Sequence, residues 1–353
     1  MLQLPRHALH KKLVGRANPM RIQLEITRRC NLDCVHCIQG GCSDVPGEMT
    51  AADYERLLPG MSAAGVFSVS LTGGEFLCHP EIMVILELLL RSDFWLALQT
   101  NGTLLDQDTV DFLARSREKI RAVAVSLYGA TAKAHESVTR SPGSFDKTIR
   151  AIDMLSDAGF RVEVISLLMT MNQEEAPQIQ ELCRERGLFH QFNSIIAPRK
   201  DGETSSLECR LSEELLKKLP RPWETFTENF IPHEPDDFSP DKTLDAWCTM
   251  ARTSGYIDSK GNLLPCSIMD LPAGNVKDRP FDELWHDSAV FNALRKLKIG
   301  EFECSRCGHF PTCRPCPGLA FLEHGNMFEA PKEICRIIEL FLGDKEVNKH
   351  EEE

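Results

Sequence analysis

Six short apolar segments recur along the first part of the chain, and longer charged segments separate them. The apolar segments are rich in β-branched residues and nearly continuous, which is typical of strands buried on both faces of a sheet. They span residues 21–27, 67–72, 94–100, 121–127, 162–169 and 191–197. Because strands that alternate with helices form parallel β/α units, the pattern predicts an α/β fold with six such units.

The charged segments carry the end signals of helices. Residues 49–65 are an example, since Thr50 suits the N-cap position and Gly65 suits the residue that stops a helix. A stretch with five prolines runs from Leu219 to Pro240 and has no sustained period, so it predicts a linker.

The amino-acid composition changes after the linker: seven of the fourteen cysteines fall between residues 248 and 335, in a loop-rich segment. The chain is therefore expected to divide into five parts. They are a basic N-terminal arm (1–20), a β/α domain (21–205), a linker (206–245), a cysteine-rich domain (246–341) and an acidic tail (342–353).

Composition excludes several functional classes. The hydrophobic fraction of 42% and the charged fraction of 26% are those of a globular protein. The best apolar run, from Ile82, is short and contains Glu87, so no membrane span is expected. The N-terminus lacks the apolar core of a secretory signal, which favours a cytoplasmic location, where cysteines serve metal or redox chemistry. The net charge of -12 argues against nucleic acid as a partner.

Polar residues follow the first four predicted strands at the point where each strand ends. They are Cys30, Cys34 and Cys37; Gly73, Gly74 and Glu75; Asn101; and Ser126, with Arg140 further on. In parallel β/α folds the active site forms at the carboxyl ends of the strands. These residues are therefore expected to converge.

Three closely spaced cysteines raise the question of which metal they hold. A structural zinc site is closed by four ligands, whereas a four-iron cluster held by three thiolates leaves one iron open for another molecule. The spacing of Cys30, Cys34 and Cys37 suits a loop folded around such a cluster. A fourth ligand from Cys42 or His36 would restore the zinc alternative.

The CxxxCxxC spacing of these cysteines resembles the signature of the radical S-adenosylmethionine (radical SAM) superfamily, and the resemblance covers residues 21 to about 200. It implies a partial (β/α)6 TIM-like barrel, open on one side. It also implies that the open iron of a 4Fe-4S cluster binds SAM and that reductive cleavage releases a 5'-deoxyadenosyl radical. An electron donor such as flavodoxin or ferredoxin is then required.

The resemblance also assigns SAM contacts to this sequence. Gly73, Gly74 and Glu75 would contact the methionine amino group, because glycines permit close backbone approach and a carboxylate pairs with an ammonium. Asn101 and Ser126 would contact the ribose. Arg140 would clamp the carboxylate, a role that suits the guanidinium fork.

The second group of cysteines resembles the SPASM domain, which carries auxiliary iron–sulfur clusters in radical SAM enzymes that modify peptides and proteins. The resemblance implies an outer cluster on Cys304, Cys307, Cys313 and Cys335, and an inner cluster on Cys248, Cys266 and Cys316. The last gap holds two residues where the family has three, so the placement of Cys316 is open. The fourth inner ligand is also open between Cys209, a carboxylate, water and a substrate thiolate. A pair of zinc knuckles is the alternative.

The resemblance predicts an oxidoreductase that matures a ribosomally synthesised peptide, abstracting hydrogen to form a thioether or another side-chain crosslink. No segment resembles a leader-binding domain, so a separate leader-binding protein is a possible partner. One alternative is formylglycine formation of the sulfatase-maturating type, in which an aspartate follows the cysteine that matches Cys266; this chain has Ser267. Further alternatives are modification of a tetrapyrrole or other small molecule, and a non-catalytic metal-binding scaffold.

Overall fold

The computed structural model of the chain describes residues 15–40, 46–217, 239–244, 247–310, 313 and 315–342. Nine strands lie within these residues. They are β1 (Arg21–Glu25), β2 (Ser68–Thr72), β3 (Trp95–Thr100), β4 (Ile120–Ser126), β5 (Val162–Leu167), β6 (Phe189–Asn193), β7 (Ser254–Ile257), β8 (Asn262–Leu264) and β9 (Gly274–Asn275). They form one sheet with the order β6-β5-β4-β3-β2-β1-β7-β8-β9.

The first six strands are all parallel, each paired with the next along the chain. The predicted β/α units and the partial barrel are thus confirmed. The least accurate boundary is that of β6, which starts at Phe189 and ends at Asn193 rather than spanning 191–197. Its residues are only partly buried, so its hydrophobic pattern is weaker than that of the central strands.

Eleven α-helices lie within the described residues. They are α1 (Ala51–Ala63), α2 (Ile82–Arg91), α3 (Gln107–Ala114), α4 (Ala132–Thr139), α5 (Ser144–Asp157), α6 (Ala176–Glu185), α7 (Glu213–Leu216), α8 (Phe281–Asp287), α9 (Ala289–Lys296), α10 (Pro317–His324) and α11 (Lys332–Leu342). The end signals of α1 are confirmed: Thr50 and Asp53 form a capping box, and Gly65 adopts a φ of +91°.

The core lies between the sheet and the helices that cover it. Leu24, Leu71 and Val125 from the strands are fully buried, as are Ile85 of α2 and Ile152 of α5. Each such side chain contributes about 1.5–3 kcal/mol by leaving water. This packing fixes the strands, and with them the loops at their carboxyl ends.

The cysteine-rich segment contributes three strands to the sheet. Strand β7 pairs with β1 in parallel, with Arg21 opposite Ser254 and Leu24 opposite Ile257. A Cβ on Gly255 would lie 2.8 Å from the ring of Trp285, so glycine allows this fully buried tryptophan to pack on the strand. This strand was not predicted, because β7 is only four residues long and its hydrophobic pattern is correspondingly short.

Part of the predicted linker is ordered. Arg210 forms ion pairs with Glu323 at 3.0 Å and Glu333 at 3.3 Å, and both carboxylates are buried. Residues 206–217 are therefore docked between the barrel and the last two helices. Most of the proline-rich stretch, most of the N-terminal arm and most of the acidic tail lie outside the described residues. In the part of the chain that is described, no helix has the length and apolar character needed to cross a membrane.

Candidate functional site

The three cysteines after β1 lie on a loop that crosses the carboxyl ends of neighbouring strands. The backbone N–H of Gly74 donates to Thr27 O at 2.8 Å, and that of Glu75 donates to Arg29 O at 2.8 Å. On the other side, the N–H of Val35 donates to Val138 O, at the end of α4, at 3.0 Å. These bonds hold the cysteine loop against β2 and α4.

The three thiols lie close enough to act on one another electrostatically. The pKa of Cys34 is raised, first by burial and then by the neighbouring thiolates of Cys37 and Cys30. None of the three forms a disulfide. A donor set of mutually repelling thiolates fits a cationic iron–sulfur cluster, which removes the repulsion by binding them.

The described residues contain no group of three or more His, Cys, Asp or Glu side chains that converge as ligands of a single metal ion do. In a four-iron cluster each thiolate binds a different iron, so the thiolates do not need to converge on a single metal ion. Of the two alternative zinc ligands, Cys42 lies outside the described residues. The His36 ring packs edge-on against Tyr128, with centroids 4.8 Å apart, and burial lowers its pKa to about 4.

Glycine is required at positions 73 and 74 because the backbone there lies very close to the backbone of the cysteine loop. A Cβ on Gly73 would lie 2.3 Å from Thr27 O, and one on Gly74 would lie 2.4 Å from Arg29 O. Such contacts would push the cysteine loop away from β2. The glycines therefore set the position of the cysteines, whatever contact they also make with SAM.

Glu75 joins β2 to β3. Its carboxylate is 1% exposed and accepts hydrogen bonds from the Thr100 hydroxyl at 2.9 Å and the Asn101 backbone N–H at 2.7 Å. Burial raises the pKa of this carboxyl to about 7, against the opposing effect of the hydrogen bonds. The predicted contact with the SAM amino group stays a prediction, and the structure adds this second role.

The predicted ribose and carboxylate contacts surround the same loop. The Asn101 side-chain amide donates to Asn31 Oδ1 at 3.1 Å and approaches Cys30 Sγ at 3.9 Å. Ser126, the last residue of β4, shares a hydrogen bond with Tyr128. Arg140 ends α4 in the left-handed conformation, with a φ of 53°, and its guanidinium lies 3.6 Å from Asp33.

The inner auxiliary set is also assembled. Burial, together with the neighbouring thiols of Cys316 and Cys266, raises the pKa of the partly exposed Cys248 thiol to about 12. A Cβ on Gly318 would lie 3.1 Å from Cys266 Sγ, so glycine lets the start of α10 approach this site. The shortened gap before Cys316 therefore does not prevent it from joining the inner set.

Cys209 lies elsewhere. It packs with Tyr128, Val138 and Met169, in a hydrophobic cluster that also contacts Cys34. Its neighbours are thus those of the cysteine loop after β1. The fourth position of the inner set is left to a carboxylate, water or a substrate.

The outer set lines a cavity of about 470 Å³. Its four thiols come from Cys304, Cys307, Cys313 and Cys335. Burial and the neighbouring thiols raise the pKa of Cys304 and of Cys313 to about 12. A cavity with four sulfur ligands on its walls fits an iron–sulfur cluster.

A polar network that sequence reasoning missed lies between the first and the inner cysteine sets. The Glu25 carboxylate, 1% exposed, accepts hydrogen bonds from Gln39 Nε2 at 2.5 Å, the Tyr256 hydroxyl and the Ser259 N–H. Lys200 Nζ lies 4.0 Å from the same carboxylate. The one feature of the sequence that indicated this network was Glu25, a charged residue inside a predicted apolar strand.

Comparison with known proteins agrees with this geometry. Residues 24–185 match the family model of the radical SAM superfamily, and residues 248–317 match that of the SPASM iron-sulfur cluster-binding domain. The AdoMet-dependent heme synthase of Methanosarcina barkeri is 27% identical, over 88% of this chain and 95% of the relative. The mycofactocin maturase MftC of Mycobacterium tuberculosis is 27% identical, over 84% of this chain and 77% of the relative.

Among solved structures, Streptococcus suis SuiB bound to the precursor peptide SuiA superposes with a TM-score of 0.68 at 19% identity, covering 93% of this chain and 79% of SuiB. At that sequence identity the structural similarity supports the fold and nothing further. Three converging thiols at the carboxyl end of β1, two further cysteine sets and two matching domain models agree with one another. The chain belongs to the radical SAM superfamily: it is a radical SAM enzyme with a SPASM domain, and its cofactors are SAM and iron–sulfur clusters.

Proposed function

We propose that the enzyme abstracts a hydrogen atom from a peptide and so forms a thioether or another side-chain crosslink in a ribosomally synthesised product. The observation that carries the proposal is the placement of two cysteine sets on either side of one polar network. The backbone N–H of Lys200 donates to Ile38 O, next to Cys37, at 3.0 Å, and its ammonium acts on Cys266. A substrate beside Lys200 lies between the two sets.

A cluster held by Cys30, Cys34 and Cys37 would supply the electron that splits a carbon–sulfur bond of SAM and yields a 5'-deoxyadenosyl radical. The chain's own residues orient SAM for this step. Asn101 is fixed by Asn31 and by the strand end that Glu75 holds. The Arg140 side chain is 59% exposed, so its guanidinium is accessible to the SAM carboxylate.

Support for a peptide substrate comes from two of the similar proteins. SuiB binds a precursor peptide, and the mycofactocin enzyme is a maturase. Within this chain, the inner set supplies three thiols, which leaves one position of a four-iron cluster open to a substrate sulfur. A separate leader-binding protein, a flavodoxin or ferredoxin as electron donor, and a cytoplasmic location belong to the same proposal.

A tetrapyrrole substrate is the second candidate. The observation in its favour is length, because this chain spans 95% of the heme synthase it resembles but 77% of the mycofactocin maturase. Formylglycine formation has less support, since Ser267 rather than an acid follows Cys266 and lines the cavity beside it.

The test uses anaerobically reconstituted enzyme with SAM and dithionite. Peptides encoded by short reading frames beside the gene are supplied in one arm, and iron coproporphyrin in the other. We expect 5'-deoxyadenosine in both arms and, for one peptide, the loss of two hydrogen atoms by mass spectrometry. Cys34→Ala should abolish both products, whereas Cys183→Ala, a buried cysteine of α6, should retain them. Conversion of the porphyrin alone would replace the peptide proposal with the tetrapyrrole one.

A further inference from the structure

Lys200 has an ammonium group whose hydrogen-bonding capacity is unused. Its Nζ is 4.0 Å from Glu25 Oε2 and 5.3 Å from the centre of the Tyr256 ring. Both distances exceed that of a hydrogen bond, and an ammonium carries three N–H donors. In the described part of the chain Nζ donates no hydrogen bond, although only 25% of the side chain is exposed. Within the described residues, these three donors therefore have no acceptor at hydrogen-bond distance.

Two neighbouring groups also lack a partner. Ser259 is fully buried and its N–H bonds Glu25, yet its hydroxyl has no hydrogen bond. Arg28 acts electrostatically on Lys200, and its buried Nε has no partner either. A buried donor without an acceptor destabilises the protein, because it has lost its hydrogen bond to water. Lys200 and Arg28 are thus two neighbouring cations, each with an N–H group that no described residue accepts from.

The charges around Lys200 decide what kind of acceptor this is. Glu25 and Asp258 are the nearby carboxylates, and Arg28 is the nearby cation. Glu25 is already matched by three donors, from Gln39, Tyr256 and Ser259, and Asp258 accepts from the backbone of its own turn. Among the described residues, no carboxylate lies within hydrogen-bond distance of either cation. An anion with two oxygen acceptors would satisfy both.

The surroundings of Lys200 include a cavity that could hold part of a substrate. Tyr256, which touches Lys200, also lines a cavity of about 200 Å³. The same cavity is lined by Cys266 of the inner set and by Gln23 and Gln99, which point from β1 and β3. Lys200 does not itself line this cavity, but a molecule held at Lys200 that reached past Tyr256 would enter it beside Cys266.

We propose that Lys200, with Arg28 beside it, binds a carboxylate of the substrate and positions the substrate between the two cysteine sets. The inference rests on the proposed function, since it names the group by which that substrate is held. The carboxylate is the C-terminus or an acidic side chain of a peptide, or a propionate of a tetrapyrrole.

The test measures binding to reconstituted enzyme in the presence of SAM without reductant, so no turnover is needed. One arm uses a pool of N-acetylated tripeptides with free C-termini and the same pool as C-terminal amides, followed by saturation-transfer NMR. The other arm uses coproporphyrin III and its tetra-amide, followed by absorption titration. The variants are Lys200→Met, Lys200→Arg and, as a matched control, Lys260→Met, an exposed lysine in the β7–β8 turn.

We expect at least tenfold tighter binding of the acid form over the amide in one arm for wild type and Lys260→Met. Lys200→Met should remove that preference, and Lys200→Arg should keep part of it. The arm that shows the preference identifies the source of the carboxylate. Equal binding of acid and amide to wild type in both arms, or an unchanged preference in Lys200→Met, overturns the inference. A Lys200→Met effect confined to the reduction potential of the inner cluster also overturns it. Formation of 5'-deoxyadenosine, measured separately with dithionite, tests the proposed function independently.

Discussion

The Thr100 hydroxyl lies 2.9 Å from both carboxylate oxygens of Glu75, and this contact ties the carboxyl end of β3 to that of β2. The next N–H along the chain, that of Asn101 just after β3, donates to the same carboxylate. Asn101 then reaches across to the cysteine loop through Asn31. The buried carboxylate of Glu75 thus determines the position of Asn101, a predicted SAM contact.

Glu75→Ala should therefore destabilise the protein even without cofactors. The substitution leaves the Thr100 hydroxyl and the Asn101 N–H without their acceptor, which costs about 1–3 kcal/mol of unfolding free energy. Glu75→Gln should cost less, because an amide oxygen still accepts. Urea unfolding of the apo protein measures this, with Glu87→Ala, an exposed residue of α2, as control. An apo variant as stable as wild type that binds SAM poorly would assign the carboxylate to SAM instead.

Arg140→Ala should weaken SAM binding by about 1–3 kcal/mol, because a charge-assisted contact is lost. Stability should change little, since Arg140 and Asp33 are both exposed. Arg140→Gly removes the same guanidinium but suits the left-handed backbone, so it should be about 1 kcal/mol more stable than the alanine variant. Calorimetric SAM binding and thermal unfolding check the two effects; unchanged affinity in both variants would place the carboxylate clamp elsewhere.

Iron content follows from the three cysteine sets. Anaerobically reconstituted enzyme should hold roughly twelve irons, four for each set. Replacing Cys30, Cys34 and Cys37 together by alanine should lower the content to about eight, because the other two sets share no residue with this loop. Iron and sulfide assays measure the result, and Cys183→Ala should match wild type. Zinc without iron after anaerobic purification would contradict the assignment of all three sets.

The inner set should accept a substrate thiolate. Three thiols leave one position of a four-iron cluster open, and iron lowers the pKa of a thiol bound to it. The measurement uses the triple alanine variant of the first cysteine loop, which keeps the auxiliary clusters, with a cysteine-containing peptide and its serine analogue. A change in the electron paramagnetic resonance signal with the thiol peptide alone is expected. Identical spectra with both peptides, after binding has been shown, would exclude docking.

His135 should make the apo protein sensitive to acid. It is 1% exposed, its Nδ1 accepts from the Tyr128 N–H at 3.1 Å, and burial lowers its pKa from 6.5 to about 4. As pH falls through this range the unfolded chain gains a proton that the folded chain does not, so stability decreases. The loss attributable to His135 between pH 7.5 and 5 is about 2 kcal/mol.

The check is the pH dependence of urea unfolding, compared as a slope. His135→Gln should show a shallower loss toward pH 5 than wild type, while His286→Gln, an exposed histidine of α8, should keep the wild-type slope. Equal slopes in all three proteins would mean that His135 takes up its proton in the folded state.

Features that depend on neighbouring residues were predictable from the sequence. The first five parallel strands were predictable because each has a strong apolar pattern, whereas the weaker pattern of β6 misplaced its bounds. The cysteine loop was predictable because its ligands lie within eight positions, from Cys30 to Cys37. The capping box of α1 is equally local. Such signals survive in any tertiary context that buries the same face.

Features that depend on distant pairing were not predictable. Glu25 and Tyr256 are 231 positions apart, and their contact exists only because β7 lies beside β1. Lys200 joins them from the segment after β6, where no motif marks it. The left-handed backbone of Arg140 was also hidden, because most arginines avoid it.

The parallel pairing of β7 with β1 also governs the order of folding. During synthesis the amino-terminal strand has a bare edge until the ribosome has released residue 257, and a bare edge invites pairing with other chains. A fragment that stops before β7 would keep that edge permanently and should aggregate, however complete its first cysteine loop. The β/α part of the chain therefore depends on the cysteine-rich segment to cover the edge of β1, and the two parts are expected to fold together rather than one after the other.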